Sequence, residues 1–205
     1  CLDMAETATT LTPKIEETLK PFRETHLFKI NTEEIQTILK QNFPEITEIK
    51  VTKKYPKSLQ IEFQKHPLKA NIINESATTK KTYIVNSVGQ AVKEDFESPN
   101  LPYIHIITEE PLNPKTPLLK SSELDYIIKS VEDFNTRFGM KILSVRFKPV
   151  ARELHLFTEK EFYIWLDIQQ PYDNQFKKLK KSLPKLDIYN LPLQYIDLRI
   201  AGNEG

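Results

Sequence analysis

Fourteen prolines against only four glycines constrain this chain more than any other feature. Proline lacks an N–H and holds φ near one value, so it opens helices, ends them, and stays out of central strands. Pro13 suits the first turn of a helix capped by Thr12, with Ile15, Leu19 and Phe22 as its apolar face. Pro44 closes a second helix that starts at Asn31, where Glu34 completes a capping box and Ile30 can staple to Ile35. Its buried stripe is Ile35, Ile38 and Leu39. Pro111, Pro114 and Pro117 crowd residues 108–122, which are expected to form a stiff surface connection. So few glycines argue against folds that cradle nucleotides on glycine-rich loops.

Between these breaks the apolar residues take two periods. Ile46, Ile49 and Val51, then Leu59, Ile61 and Phe63, flank the turn Tyr55-Pro56-Lys57-Ser58 and predict a hairpin. After Pro67 the pattern becomes a series of short strands at 70–73, 82–87, 90–93 and 103–107, with a tight turn at Val88-Gly89. Leu124, Ile127, Ile128, Val131, Phe134 and Phe138 have helical spacing, and Gly139 stands where a left-handed cap belongs, which predicts a helix over 122–138. Strands are expected at 142–148, 153–157 and 162–168, then a helix over 172–183 whose inner face is Tyr172, Phe176, Leu179 and Leu183. Lys177, Lys178, Lys180 and Lys181 on its outer side read as a solvated surface. The last strand spans 193–201, with Ile196, Leu198 and Ile200 on its core face and Tyr195, Asp197 and Arg199 on the other.

A chain of 205 residues can bury one large core or two modest ones. Its 29 basic and 28 acidic residues nearly cancel, so no net field draws in nucleic acid or an anionic bilayer. A single cysteine, Cys1, excludes an internal disulfide and a thiolate zinc site. Its place at position one is read as a segment boundary in preference to a lipid-bearing cysteine. No apolar run reaches the roughly 18 residues of a membrane span, so a soluble piece is expected.

Catalytic and cofactor signatures are missing. There is no phosphate loop, nucleophile elbow or dinucleotide fingerprint. His26, His66, His105 and His155 are scattered, without metal-pair spacing, and are read as boundary residues. Neither Glu109-Glu110 nor Glu132-Asp133 makes an acid–base pair, because adjacent side chains diverge. Trp165 and Tyr163 share a strand face that could stack a sugar or peptide, although a covering helix is the preferred reading. The expectation is therefore a non-enzyme with no cofactor, no metal and no small-molecule substrate.

Leu27 to Phe63 resembles a POTRA domain, and more narrowly that of the bacterial cell-division family FtsQ/DivIB. The hairpin Lys54-Tyr55-Pro56-Lys57-Ser58-Leu59-Gln60-Ile61 is similar to the family's basic residue, proline and alternating strand. His66-Pro67 stands where the family has an acidic residue, a basic one and proline. Tyr83-Ile84-Val85-Asn86-Ser87-Val88-Gly89 resembles the strand and D-x-x-G turn that open its second domain, and Leu101-Pro102 matches a downstream Leu-Pro. The most specific match is Tyr195-Ile196-Asp197-Leu198-Arg199, which looks like the closing Y-x-D-L-R strand. The resemblance spans 11–201 and departs from the family in two places. The first POTRA strand and the glycine before the first helix are missing from 1–10, and the glycines usual near 159–162 are absent.

The resemblance implies an α+β chain: an undefined segment at 1–10, a POTRA domain of two helices on a small sheet at 11–67, and a mixed β domain with two helices at 68–205. It implies a scaffold on the outer face of the cell membrane at the division septum, anchored by a helix outside this chain. Its partners would be proteins of the FtsB/DivIC and FtsL type, bound by strand addition through Tyr195, Asp197, Arg199, Ile200 and Ala201. The rival reading is a POTRA-bearing factor of outer-membrane protein assembly or secretion. A cell-wall-binding protein comes third, suggested only by Trp165 and Tyr163.

Overall fold

Pro67 marks the point at which the computed structural model divides into two units, Cys1–His66 and Pro67–Gly205. The described residues are 3–4 (backbone only), 11–23, 25–76, 80–185 and 193–199.

In the first unit α1 (Thr12–Thr18) and α2 (Thr32–Asn42) accompany a three-stranded sheet of order β1-β3-β2, where β1 is Asp3–Met4, β2 Ile46–Lys54 and β3 Ser58–Lys65. Asn31 caps α2 by accepting from the N–H groups of Glu33 (3.0 Å) and Glu34 (3.5 Å). Ile35 and Leu39 of α2 then bury against Ile49, Val51 and Ile61 of the hairpin. Two expectations change here. Leu11 occupies the cap position of α1 and Thr12 is already helical, because Pro13 fits either of the first two helical positions. A first strand does exist: Asp3–Met4 runs parallel to β3, opposite Gln60 and Ile61. Two residues are too few for a periodic signal.

The described residues of the second unit form one mixed sheet of eight strands in the order β11-β10-β9-β8-β7-β4-β5-β6. These are β4 (Leu68–Glu75), β5 (Lys80–Asn86), β6 (Ala91–Glu94), β7 (Tyr103–Ile107), β8 (Ile142–Lys148), β9 (Glu153–Thr158), β10 (Tyr163–Asp167) and β11 (Tyr195–Asp197). The central pairs β4–β7 and β7–β8 are parallel, and antiparallel neighbours flank them. Helices α3 (Ser121–Phe138) and α4 (Tyr172–Ser182) cover one face. Ile127, Phe134, Phe176 and Leu179 from the helices share a core with Ile72, Ile104, Phe147, Leu156 and Ile164 from successive strands. Burying each such side chain contributes about 1.5–3 kcal/mol, so this layer dominates the unit's stability.

The proline-rich connection is more than a surface strap. Leu118 and Leu119 are buried in the main core, and the Leu118 N–H donates to Gly89 O at 2.8 Å. Prolines keep this segment out of the sheet but do not prevent the residues that follow them from packing. The tight turn at Val88-Gly89 forms on Asn86, whose Oδ1 accepts from the N–H groups of Val88 (3.1 Å) and Gln90 (3.0 Å). Where glycines were missing near 159–162, Glu161 itself adopts a left-handed φ of 64°.

Candidate functional site

The site grows from the end of the sheet. β10 shows strict alternation: Ile164 and Leu166 are buried under the helix layer, and Tyr163, Trp165 and Asp167 point to the opposite face. The helices therefore cover Ile164 and Leu166, not Trp165, which corrects the expectation of a helix over the Trp165 face. A run of buried polar groups fixes the end of β10. The Tyr126 hydroxyl donates to carbonyl oxygens of Asp167 (3.2 Å) and Gln170 (2.9 Å), and Gln175 Nε2 donates back to Tyr126 Oη at 3.1 Å. Gln175 Oε1 accepts the Asp167 N–H at 3.0 Å, so α3, α4 and β10 are tied together. Burial pushes the Tyr126 phenol well above its ordinary range, so it stays a neutral donor.

β11 joins this frame in parallel, with Tyr163 opposite Tyr195 and Trp165 opposite Asp197. The Tyr163 N–H donates to Gln194 O (3.0 Å) and the Leu198 N–H to Trp165 O (3.0 Å). Gln194, Ile196 and Leu198 thus turn their backbone groups toward β10, and Tyr195 and Asp197 turn theirs away. No other described strand pairs with that outer side. The Arg199 N–H is taken by Asp197 Oδ1 at 3.0 Å, so the outward row ends there. The regular strand is three residues, shorter than the span 193–201 expected from alternation. Of the predicted binding residues, Tyr195, Asp197 and Arg199 come together on one face, with Tyr195 48% exposed. Ile200 and Ala201 lie outside the described residues.

On that face an aromatic ladder crosses three strands. Trp165 stacks on Tyr195 (4.2 Å between centroids, 7°) and on His155 (4.7 Å, 10°), and the Arg199 guanidinium lies 4.9 Å from the Trp165 ring centroid. Arg199 grips Asp197 through two bonds, Nη2 to Oδ2 at 2.6 Å and Nε to Oδ1 at 2.8 Å, and also pairs with Glu153 Oε1. Glu153 Oε2 in turn meets His155 Nε2 at 2.9 Å, with Lys148 Nζ at 4.0 Å. The Arg199 hydrogen bonds hold the Asp197 carboxyl below its usual range. Burial lowers the His155 imidazole below its ordinary 6.5, outweighing the Glu153 hydrogen bond that favours its protonation.

Sequence reasoning treated His155 as a boundary residue, yet it is buried in the middle of β9; His105 likewise sits within β7, 2.7 Å from Glu75 Oε1. The signal for the ladder was available: Glu153 and His155, Tyr163 and Trp165, and Tyr195 and Asp197 are all spaced two apart on consecutive strands. No group of three or more His, Cys, Asp or Glu suited to a metal ion occurs among the described residues, and no described helix is long and apolar enough to cross a membrane. A shallow cavity of about 260 Å³ opens beside Arg199, lined by Ala151, Arg152, Glu153, Asp167, Gln169 and Asp197.

A search of curated proteins found no match to this sequence. A family model described as "POTRA domain, FtsQ-type" matches residues 6–66, so an N-terminal POTRA domain of the FtsQ type precedes the larger mixed-sheet unit.

Proposed function

We propose that this chain is the extracytoplasmic part of a division-site scaffold of the FtsQ/DivIB kind, which holds partners and catalyses nothing. The carrying observation is the FtsQ-type POTRA match at 6–66, joined to a second unit whose terminal strand lies at a sheet edge. In this reading a segment of an FtsB/DivIC-like protein, with an FtsL-like companion, adds as a strand along β11. The outward backbone groups of Tyr195 and Asp197 supply the first hydrogen bonds. Tyr195, Asp197 and Arg199 read the partner's side chains, and Ile200 and Ala201 extend the contact. The Trp165 ladder and the Glu153–Arg199–Asp197 pairs keep the strand flat and ordered before the partner arrives, which lowers the ordering cost of binding. An N-terminal helix outside this chain would hold the scaffold at the membrane, on its outer face at the septum.

The test is binding of the extracytoplasmic segment of a DivIC- or FtsB-like partner to Arg199→Glu and Ile200→Glu variants. Each should weaken binding by about 2 kcal/mol or more, as loss of an interface anchor does. Unchanged affinity in both would reject the interface.

A further inference from the structure

A second surface lies in the POTRA unit. The end of α1, the 3-10 turns that follow it and the tip of the β2–β3 hairpin enclose a groove of about 810 Å³. Leu19, Phe22, Leu27, Ile30 and Leu59 give it an apolar floor. At the hairpin side two aromatic rings, Phe28 at 77% and Tyr55 at 65% exposure, pack against each other at 5.5 Å. Keeping two large rings in water is unfavourable, and such exposed aromatics mark binding surfaces in soluble domains.

Unpaired positive charge gathers at the hairpin side of the groove. Arg23, His26 and Lys57 line it, and Lys53 sits directly opposite Leu59 on the helix-covered face of the hairpin. Glu16, the one carboxylate among the described lining residues, lies 3.7 Å from Arg23. Lys53, Lys54 and Lys57 have no ion pair among the described residues, and no acidic residue occurs from Lys53 to Ser58. The unpaired lysines of the hairpin tip and the recessed apolar floor call for an occupant that is apolar at its centre and anionic on the hairpin side.

We propose that this groove receives a short acidic segment of a partner protein, with one aromatic or long aliphatic side chain buried on the floor and flanking carboxylates on Lys53 and Lys57. The volume fits such an anchor, being within the range of about 300–1,000 Å³ typical of binding clefts. A membrane surface fits less well, because only Phe28 and Tyr55 project, whereas the larger apolar area, the floor of Leu19, Phe22, Leu27, Ile30 and Leu59, is recessed. The site is independent of β11 and of the partner reading given for it.

The experiment uses the full 205-residue chain and a fluorescein-labelled peptide with a central phenylalanine flanked on each side by aspartates. Anisotropy should report binding that weakens with added salt, as rim-charge pairing does. Peptides with alanine at the centre, or with lysines as flanks, should bind about tenfold more weakly or worse, and so should the Lys53→Glu/Lys57→Glu and Phe28→Ala variants with the original peptide. Chemical-shift mapping on the unaltered chain, which needs no variant, should place the perturbed amides at the groove. Equal binding by the variants, or shifts confined to residues 67–205, overturns the proposal. It is equally overturned if phosphatidylglycerol vesicles retain the chain while the peptide does not bind, which would indicate a membrane face. Self-association lost in the same variants without peptide binding would indicate a second copy and overturn it too.

Discussion

Trp165 is the only tryptophan in the chain, and it stacks on a histidine whose protonation is resisted by burial. A depressed imidazole pKa means that the unfolded chain binds the proton more readily. His155 therefore contributes stability that is complete above about 6.5 and is lost as pH falls toward its lower folded value. Protonation places a cation against the Trp165 ring and between Lys148 and Arg199, so tryptophan emission should fall across a transition with a midpoint below 6.5. The His155→Gln variant should abolish that transition. A transition centred at or above 6.5 would contradict the neutral-stack account. Two backbone positions give opposite predictions. Gly89 has a φ of 75°, and a Cβ there would collide with the Leu119 carbonyl, so Gly89→Ala should cost more than about 2 kcal/mol. Glu161 carries a left-handed φ of 64° on a residue with a Cβ, so Glu161→Gly should raise stability by up to about 1 kcal/mol in denaturant unfolding.

Among the elements, β11 depends on its neighbours more than on itself. Three residues in parallel pairing gain little alone; Leu198 anchors the strand by burying in the main core, and its N–H bonds to Trp165 O. Leu198→Ala should cost about 2–3 kcal/mol and speed amide exchange at Ile196 and residue 198, with little change in the middle of α3. Long periodic elements were legible in the sequence: α3 begins at Ser121, one residue before the expected start, and ends at Gly139 with a left-handed φ of 64°. The hairpin over β2 and β3 and the core face of β11 were legible for the same reason, since alternation assigns faces. For the Trp165 ladder the two-apart spacing was legible but the exposure of its face was not, because local periodicity says which residues share a face and not which face the helices choose. The burial of Leu118 and Leu119 was hidden in the same way: proline density reports the absence of a strand, whereas packing is decided by the distant turn at Gly89.

Across the whole second unit, the strand order explains why the candidate interface lies where it does. β6 ends one side of the sheet and β11 the other, and the parallel centre β4–β7–β8 is buried between flanking hairpins. Only an edge can accept an added strand, and among the described residues of β11 the outward hydrogen-bonding groups are those of Tyr195 and Asp197, backed by aromatic and ionic contacts from β9 and β10. The most direct test of strand addition is hydrogen exchange at the Tyr195 and Asp197 amides with and without a saturating FtsB/DivIC-like partner segment. The account predicts that both amides slow by about tenfold or more on binding. Full binding with unchanged exchange at both positions would contradict it.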